Sequence, residues 1–210
     1  MSEEESVKQD IIKMTSLLYD KGLITGTGGN VSARVPGAKE FWITPSGMFK
    51  KYLTPEDLVK CDLQAKVTEG IMKPSIETPF HAAVYRRRED VNAVVHAHNP
   101  VATGLGVAGV EIEPVTPEAA VILLKVPILP FKFPGTDALA DVVAENIVGH
   151  RALILKNHGV LGVGYDLLEA VSAVEILEEV AKIILVSRLV GKTTTIPSEE
   201  MEVIKKLYKI

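Results

Sequence analysis

Between Ala152 and Val190 the chain sets out two short apolar runs, a polar turn between them, and then a long apolar helix. Ala152–Leu155 and Val160–Val163 read as strands flanking Lys156-Asn157-His158-Gly159. Leu167–Val190 reads as a helix with Leu167, Val171, Val174, Leu177 and Ala181 on one face. An apolar helix that long has to lie on something, and the strands beside it offer a sheet.

The same alternation runs upstream. Ser2 with Glu5 predicts a capping box ahead of Val7, Ile11, Met14 and Leu18, and Gly22 stops that helix. Phe41–Thr44 reads as a short strand and Val91–His98 as another. Thr54-Pro55-Glu56-Asp57 predicts a helix start, with Thr54 as cap and Pro55 at the first helical position; Thr78-Pro79 and Thr116-Pro117 repeat that signature. The class is therefore α/β, with helices covering a central sheet. There is no internal repeat, low-complexity tract or flexible linker, so residues 1–210 are expected to form a single domain.

Composition excludes several roles. The formal net charge is -4 and there is no strong basic stretch, which argues against nucleic-acid or membrane partners. Arg86-Arg87-Arg88 runs straight into Glu89-Asp90 and reads as a solvated helix end. Cys61 is the only cysteine, so no intramolecular disulfide can form, as suits a reducing compartment. Met1-Ser2-Glu3-Glu4-Glu5 is acidic and does not read as a secretory signal. The apolar stretch Ala119–Phe131 is interrupted by Lys125, Pro127 and Pro130 and falls short of the roughly 20 residues a bilayer span needs. A cytoplasmic protein is expected.

The chemistry-bearing residues begin with His96-Ala97-His98. On a strand both imidazoles point to one face, where they can share a metal ion. His158 sits in a glycine-flanked turn and is either a third ligand or a turn-capping residue. Glu77, in Pro74-Ser75-Ile76-Glu77-Thr78-Pro79, is either a carboxylate near that metal or a helix-start acid favoured by the dipole. Three short polar loops, Gly26-Thr27-Gly28-Gly29-Asn30, Thr44-Pro45-Ser46-Gly47 and Pro74-Ser75, offer backbone and side-chain donors for an anion. None of them matches a P-loop.

In this order the pieces resemble the class II aldolase/adducin family. The resemblance rests on Gly-Gly-Asn-Val-Ser, Ile-Thr-Pro-Ser-Gly, Pro-Ser-x-Glu-Thr, Val-Val-His-x-His and Lys-Asn-His-Gly, and on the separation of 19 residues between Glu77 and His96. It implies a three-layer α/β/α fold with a largely antiparallel central sheet and helices on both faces. It implies Zn2+, or another divalent transition metal, held by His96, His98 and His158, with Glu77 as fourth ligand and acid/base. It implies a phosphate cradle of Thr27, Gly29, Asn30, Ser46, Gly47, Ser75 and the backbone of Ile76, which stands where the family has a second serine. The substrate implied is a small phosphorylated sugar. The assembly implied is a fourfold homotetramer with active sites between subunits, and the Ala119–Phe131 stretch is a candidate for a partner-facing surface.

The activity implied is reversible aldol cleavage of a ketose 1-phosphate, similar to fuculose 1-phosphate, to dihydroxyacetone phosphate and a short aldehyde. Alternatives within the family are dehydration of methylthioribulose 1-phosphate and 4-epimerisation of a pentulose phosphate. A non-enzymatic, adducin-like interaction domain is the alternative outside catalysis. Glu77 favours an aldolase or dehydratase over a 4-epimerase, since the epimerases usually carry Asp there. Pro114-Val115-Thr116-Pro117-Glu118 lacks the tyrosine found there in aldolases, and the chain ends at Tyr208-Lys209-Ile210. Glu118 and Tyr208 are therefore the candidates for a second proton donor.

Overall fold

The computed structural model describes residues 2–208; Met1, Lys209 and Ile210 lie outside the described residues. Helix α1 (Glu3–Asp20) opens on the expected capping box: Ser2 Oγ accepts from the Glu5 N–H, and Glu5 Oε2 accepts from the Ser2 N–H. Gly22, at φ +69°, turns the chain out of the helix. Next comes an antiparallel meander: β1 (Asn30–Ala33), β2 (Glu40–Ile43), β3 (Val59–Asp62) and β4 (Val67–Glu69). Then come α2 (Thr78–Arg87), β5 (Ala93–Ala97), α3 (Pro100–Val107), α4 (Pro117–Ile122), β6 (Ile128–Leu129) and α5 (Asp137–Asn146). The hairpin β7 (Ala152–Leu155) and β8 (Gly159–Gly164) leads into α6 (Leu167–Val190) and α7 (Ser198–Tyr208).

All eight strands join one sheet in the order β4-β3-β2-β1-β5-β8-β7-β6. Every pairing is antiparallel except β6 with β7. Strand alternation divides the side chains between two apolar layers. Ala93, Val95 and Ala97 of β5 face the layer containing Ile11 and Leu18 of α1 and Val171, Val174 and Leu177 of α6. Val94 faces the opposite layer, with Phe80 and Val84 of α2 and Leu139 and Val143 of α5. The architecture is thus α/β/α around a mixed, mostly antiparallel sheet. Gly162 of β8 lets α6 approach closely, since a Cβ there would come within 2.6 Å of Val174 Cγ1.

Two local expectations are corrected. At Thr54-Pro55 the capping signature is present, with the Thr54 N–H donating to Asp57 Oδ2 at 2.8 Å, but it caps only a single 3-10 turn, Pro55–Asp57. The backbone beyond it pairs with β2, Phe41 opposite Cys61 and Ile43 opposite Val59, so the ladder takes the donors a helix would have used. At Thr78-Pro79 the helix does start, but Glu77 occupies the cap position and Thr78 is the first helical residue, its Oγ1 donating to Ser75 O at 2.6 Å. Thr116, by contrast, caps α4 through the Ala119 N–H. Within Ala119–Phe131, Ala119, Ala120, Leu123, Val126 and Leu129 are buried in the chain's own core, while Ile122 and Leu124 are half-buried and Phe131 is exposed. Arg86 and Arg87 are exposed, while Arg88 is half-buried and donates to Ile147 O and His150 O. No described helix is long and apolar enough to cross a membrane.

Candidate active site

Four elements meet at one end of the sheet: the start of β1, the end of β5, the β7–β8 turn and the start of α2. Asn30 lies directly opposite His96 in the β1–β5 ladder, so the two side chains share a face. His98 stands one residue beyond β5, its backbone N–H donating to Leu23 O at 2.7 Å. His158 reaches the same point from the turn, where Asn157 takes a left-handed conformation (φ +60°) and the His158 N–H closes on Leu155 O at 3.0 Å. Gly159 beside it has no room for a side chain: a Cβ would run into Ala97 O and lie 3.0 Å from His96 Cε1.

His96, His98 and His158 each bring a ring nitrogen within 4.8 Å of the others. His96 Nε2 lies 3.1 Å from His98 Nε2 and 3.2 Å from Glu77 Oε2, and His158 Nε2 lies 3.1 Å from Glu77 Oε1. Ligands on a tetrahedral ion with bonds of about 2.0–2.1 Å would sit about 3.3 Å apart, so these three separations are compatible with a shared ion. The protonation pattern agrees. The Val160 carbonyl, 2.9 Å from His96 Nδ1, can only accept, so Nδ1 carries the proton and Nε2 presents a lone pair. Burial lowers the His96 pKa to about 4 despite the attraction of Glu77, which keeps the ring neutral near pH 7. Burial alone would raise Glu77, but His96, His158 and Asn30 together hold it at about 2, as a carboxylate. A neutral nitrogen lone pair and a carboxylate oxygen therefore face each other across 3.2 Å, an arrangement that a divalent cation relieves. Glu77 Oε1 and His158 Nδ1 are also buried without a hydrogen-bond partner among the described residues. The donor set fits a divalent transition metal.

Beside the histidines is a pocket of about 260 Å3 that collects the polar loops. Thr27, Gly29 and Asn30 form one wall, Ser46 and Gly47 a second, and Ser75, Ile76 and Glu77 a third. The Glu77 N–H donates to Ser75 Oγ, and Asn30 Nδ2 donates to Glu77 Oε2 at 2.7 Å. Gly28 must be small here, since a Cβ would come within 2.8 Å of the His98 ring. The larger cleft, about 670 Å3, lies between residues 111–114 and 124–128 and has a single histidine, His150, whose Nδ1 bonds Asn146 O. It gathers no metal-ligating cluster among the described residues.

The sequence reading does not single out Lys50 or His81. Lys50 lines the pocket, is 2 % exposed, and has only carbonyls for partners, Pro45 O at 2.7 Å and Met48 O at 3.4 Å. Burial lowers its pKa to about 8. His81 is fully buried one turn beyond Glu77 on α2. The remaining candidates lie apart within the chain. Glu118 is exposed in the first turn of α4 and Tyr208 is exposed at the end of α7; neither lines the histidine pocket.

Residues 9–185 match the family described as Class II Aldolase and Adducin N-terminal domain. The chain belongs to the class II aldolase and adducin family. Among its relatives in that family, an L-fuculose phosphate aldolase of Methanocaldococcus jannaschii is 38% identical over 185 residues, 88% of this chain and 99% of the relative. A 5-deoxy-D-ribulose 1-phosphate aldolase of Bacillus thuringiensis is 33% identical over 202 residues, 96% of this chain and 95% of the relative. A 3-oxo-tetronate 4-phosphate decarboxylase of Escherichia coli is 34% identical over 188 residues, covering 87% and 88%. A solved structure of an L-fuculose 1-phosphate aldolase superposes with a TM-score of 0.91 at 34% identity, covering 100% of this chain and 98% of that one. The family assignment and the α/β/α fold of class II aldolases thus stand together. The decarboxylase widens the reactions to be weighed beyond those the motifs suggest.

Proposed function

We propose that this protein is a zinc-type, divalent-metal-dependent lyase that reversibly cleaves a ketose 1-phosphate to dihydroxyacetone phosphate and a short aldehyde. The observation that carries the reading is the placement of Glu77. Its carboxylate touches His96 and His158 at 3.2 and 3.1 Å and stands at the wall of a pocket built from three polar loops. His96, His98 and His158 would hold the ion, which when bound supplies Lewis-acid polarisation of the substrate's carbonyl and hydroxyl oxygens.

The protein's own groups do the rest. Ser46, Gly47, Ser75 and the Ile76 backbone receive the phosphate, with Thr27, Gly29 and Asn30 closing the opposite wall, and Lys50 adds the countercharge the loops lack. That anchoring fixes the hydroxymethyl carbon of dihydroxyacetone phosphate beside Glu77. In the condensation direction a Glu77 carboxylate oxygen takes a proton from that carbon, and in cleavage it returns it. Relatives bearing aldolase names support this direction of reading. The second proton donor, Glu118 or Tyr208, would come from a neighbouring copy in a homotetramer with sites between subunits. Exposed Phe133 next to pocket residue Pro134, and exposed Leu189 and Val190 at the end of α6, support such an interface. Light scattering at micromolar protein should report four chains. A cytoplasmic location belongs to the same reading.

The deciding assay incubates metal-loaded protein with dihydroxyacetone phosphate and a panel of short aldehydes and follows condensation. Methylthioribulose 1-phosphate and 3-oxo-tetronate 4-phosphate are run beside it. Dehydration or decarboxylation without any condensation would replace the aldolase reading with the corresponding one.

A further inference from the structure

Glu77 at the cap of α2 and His81 and Tyr85 within it recur every four residues, and Asn30 and Ser32 recur every two on β1. The two faces meet and zip into one unbroken chain of hydrogen bonds. Asn30 Nδ2 donates to Glu77 Oε2 at 2.7 Å, His81 Nε2 meets Asn30 Oδ1 at 2.5 Å, Ser32 Oγ meets His81 Nδ1 at 2.7 Å, and Tyr85 Oη meets Ser32 Oγ at 2.8 Å. None of the five side chains is more than 5 % exposed, so water does not compete for these groups.

The direction of every bond is set by the carboxylate at the end. Glu77 can only accept, so the Asn30 amide must turn its nitrogen toward Glu77 and its oxygen toward His81. His81 must then donate from Nε2, which leaves Nδ1 as an acceptor. Ser32 must give its hydroxyl proton to that Nδ1, and Tyr85 must give its own to Ser32. Burial favours the neutral imidazole and the protonated phenol that this arrangement needs. If His81 adopted the other tautomer, a bare nitrogen would face the Asn30 carbonyl oxygen. Relief by an amide flip would place that oxygen against Glu77 Oε2.

We propose that His81 is a positioning residue for the reaction: its tautomer, locked by Ser32 and Tyr85, sets the orientation of the Asn30 amide and through it holds Glu77 Oε2 in place. The proposal rests on the reading of Glu77 as the proton-transfer carboxylate. Among the described residues, the His81 ring hydrogen-bonds Asn30 and Ser32, and His81 does not line the pocket.

The test has two independent arms. In the first, His81→Leu, His81→Gln and Ser32→Ala are compared with wild type for kcat, KM and bound metal. His81→Leu should lower kcat about 10- to 100-fold, the scale of a small misplacement at a reacting group, with KM and metal content little changed. His81→Gln, whose amide N–H can replace Nε2–H toward Asn30, should recover most of the loss, and Ser32→Ala should fall between. Unchanged kcat in His81→Leu, or no rescue by His81→Gln, overturns the proposal. In the second arm, 15N NMR of histidine-labelled wild type should show His81 as the neutral Nε2–H tautomer from about pH 6 to 9; an Nδ1–H tautomer overturns it even if His81→Leu does not fold. Glu77→Gln separates the two readings. If it retains full turnover, the role of Glu77 fails whatever His81 does. If it is crippled while His81→Leu is not, only the relay fails.

Discussion

Replacing Lys50 by Met removes an ammonium group that is 2 % exposed and bonded only to the carbonyls of Pro45 and Met48. Burial takes its pKa from 10.5 to about 8. That difference corresponds to about 3 kcal/mol for keeping the charge in the folded protein. A phosphate dianion in the adjoining pocket that restored the ordinary value would recover that whole amount. Binding then requires the protonated form, which makes up about nine-tenths of the free protein at pH 7 and about one-tenth at pH 9. The dissociation constant of a non-reacting phosphate monoester should therefore rise about tenfold across this range, where the monoester itself, with a second pKa near 6, stays dianionic.

Isothermal titration of glycerol phosphate into metal-loaded wild type and Lys50→Met gives the comparison. The variant should bind at least about tenfold more weakly at pH 7 and show no matching slope to pH 9. The stability of the ligand-free protein carries the opposite sign. The folded pKa lies below the unfolded one, so between about pH 8 and 10.5 the unfolded chain holds more protons and stability rises with pH. The Met variant should lack that rise. Parallel binding curves for the two proteins, or equal affinity at pH 7, would refute the assignment of Lys50 to the phosphate.

Other perturbations probe the centre directly. Glu77→Gln should cut aldol turnover by about 10² or more while retaining most metal, and Glu118→Gln should cost much less; on a dehydration substrate the order should reverse. Full metal occupancy in His98→Ala, measured by elemental analysis, would be incompatible with the three-histidine site; loss of most metal and all activity is expected. Gly159→Ala forces a methyl against Ala97 O and the His96 ring, so a stability loss of about 1–3 kcal/mol by denaturant melt and weakened metal uptake should appear together.

The features legible in the sequence are those that depend on neighbours along the chain. The Ser2–Glu5 box, the hairpin around Asn157 and the whole of α6 are set by local spacing and capping, and they form where the pattern places them. Thr54-Pro55 shows the limit: its cap forms, but pairing with β2, well back along the chain, decides the conformation of the residues after it. Sheet order is invisible for the same reason, and β1, β4 and β6 carry too few residues to announce themselves, whereas α5 and α7 carry an apolar face at helical spacing and go unread. The histidines, Glu77 and the polar loops stand out as motifs. Lys50 does not, because next to Lys51 and Tyr52 it looks like ordinary surface, and only the folded loops bury it. His81 is a lone histidine until β1 is placed against α2. Its one trace in the sequence is the four-residue spacing of Glu77, His81 and Tyr85 set against the two-residue spacing of Asn30 and Ser32.

The direct pairing of Asn30 with His96 makes the site a reporter on how the sheet has closed. A slip of one residue between β1 and β5 would turn Asn30 and Ser32 away from α2 and bring Val31 round in their place. Such a chain could still bury most of its apolar surface, yet it would leave Glu77 without its amide and His81 without either partner. Competence at the centre thus tests a pairing between distant parts of the chain. In refolded material, recovered turnover would count the molecules whose strands found the correct register, a distinction that bound metal, total helix content or compactness would miss.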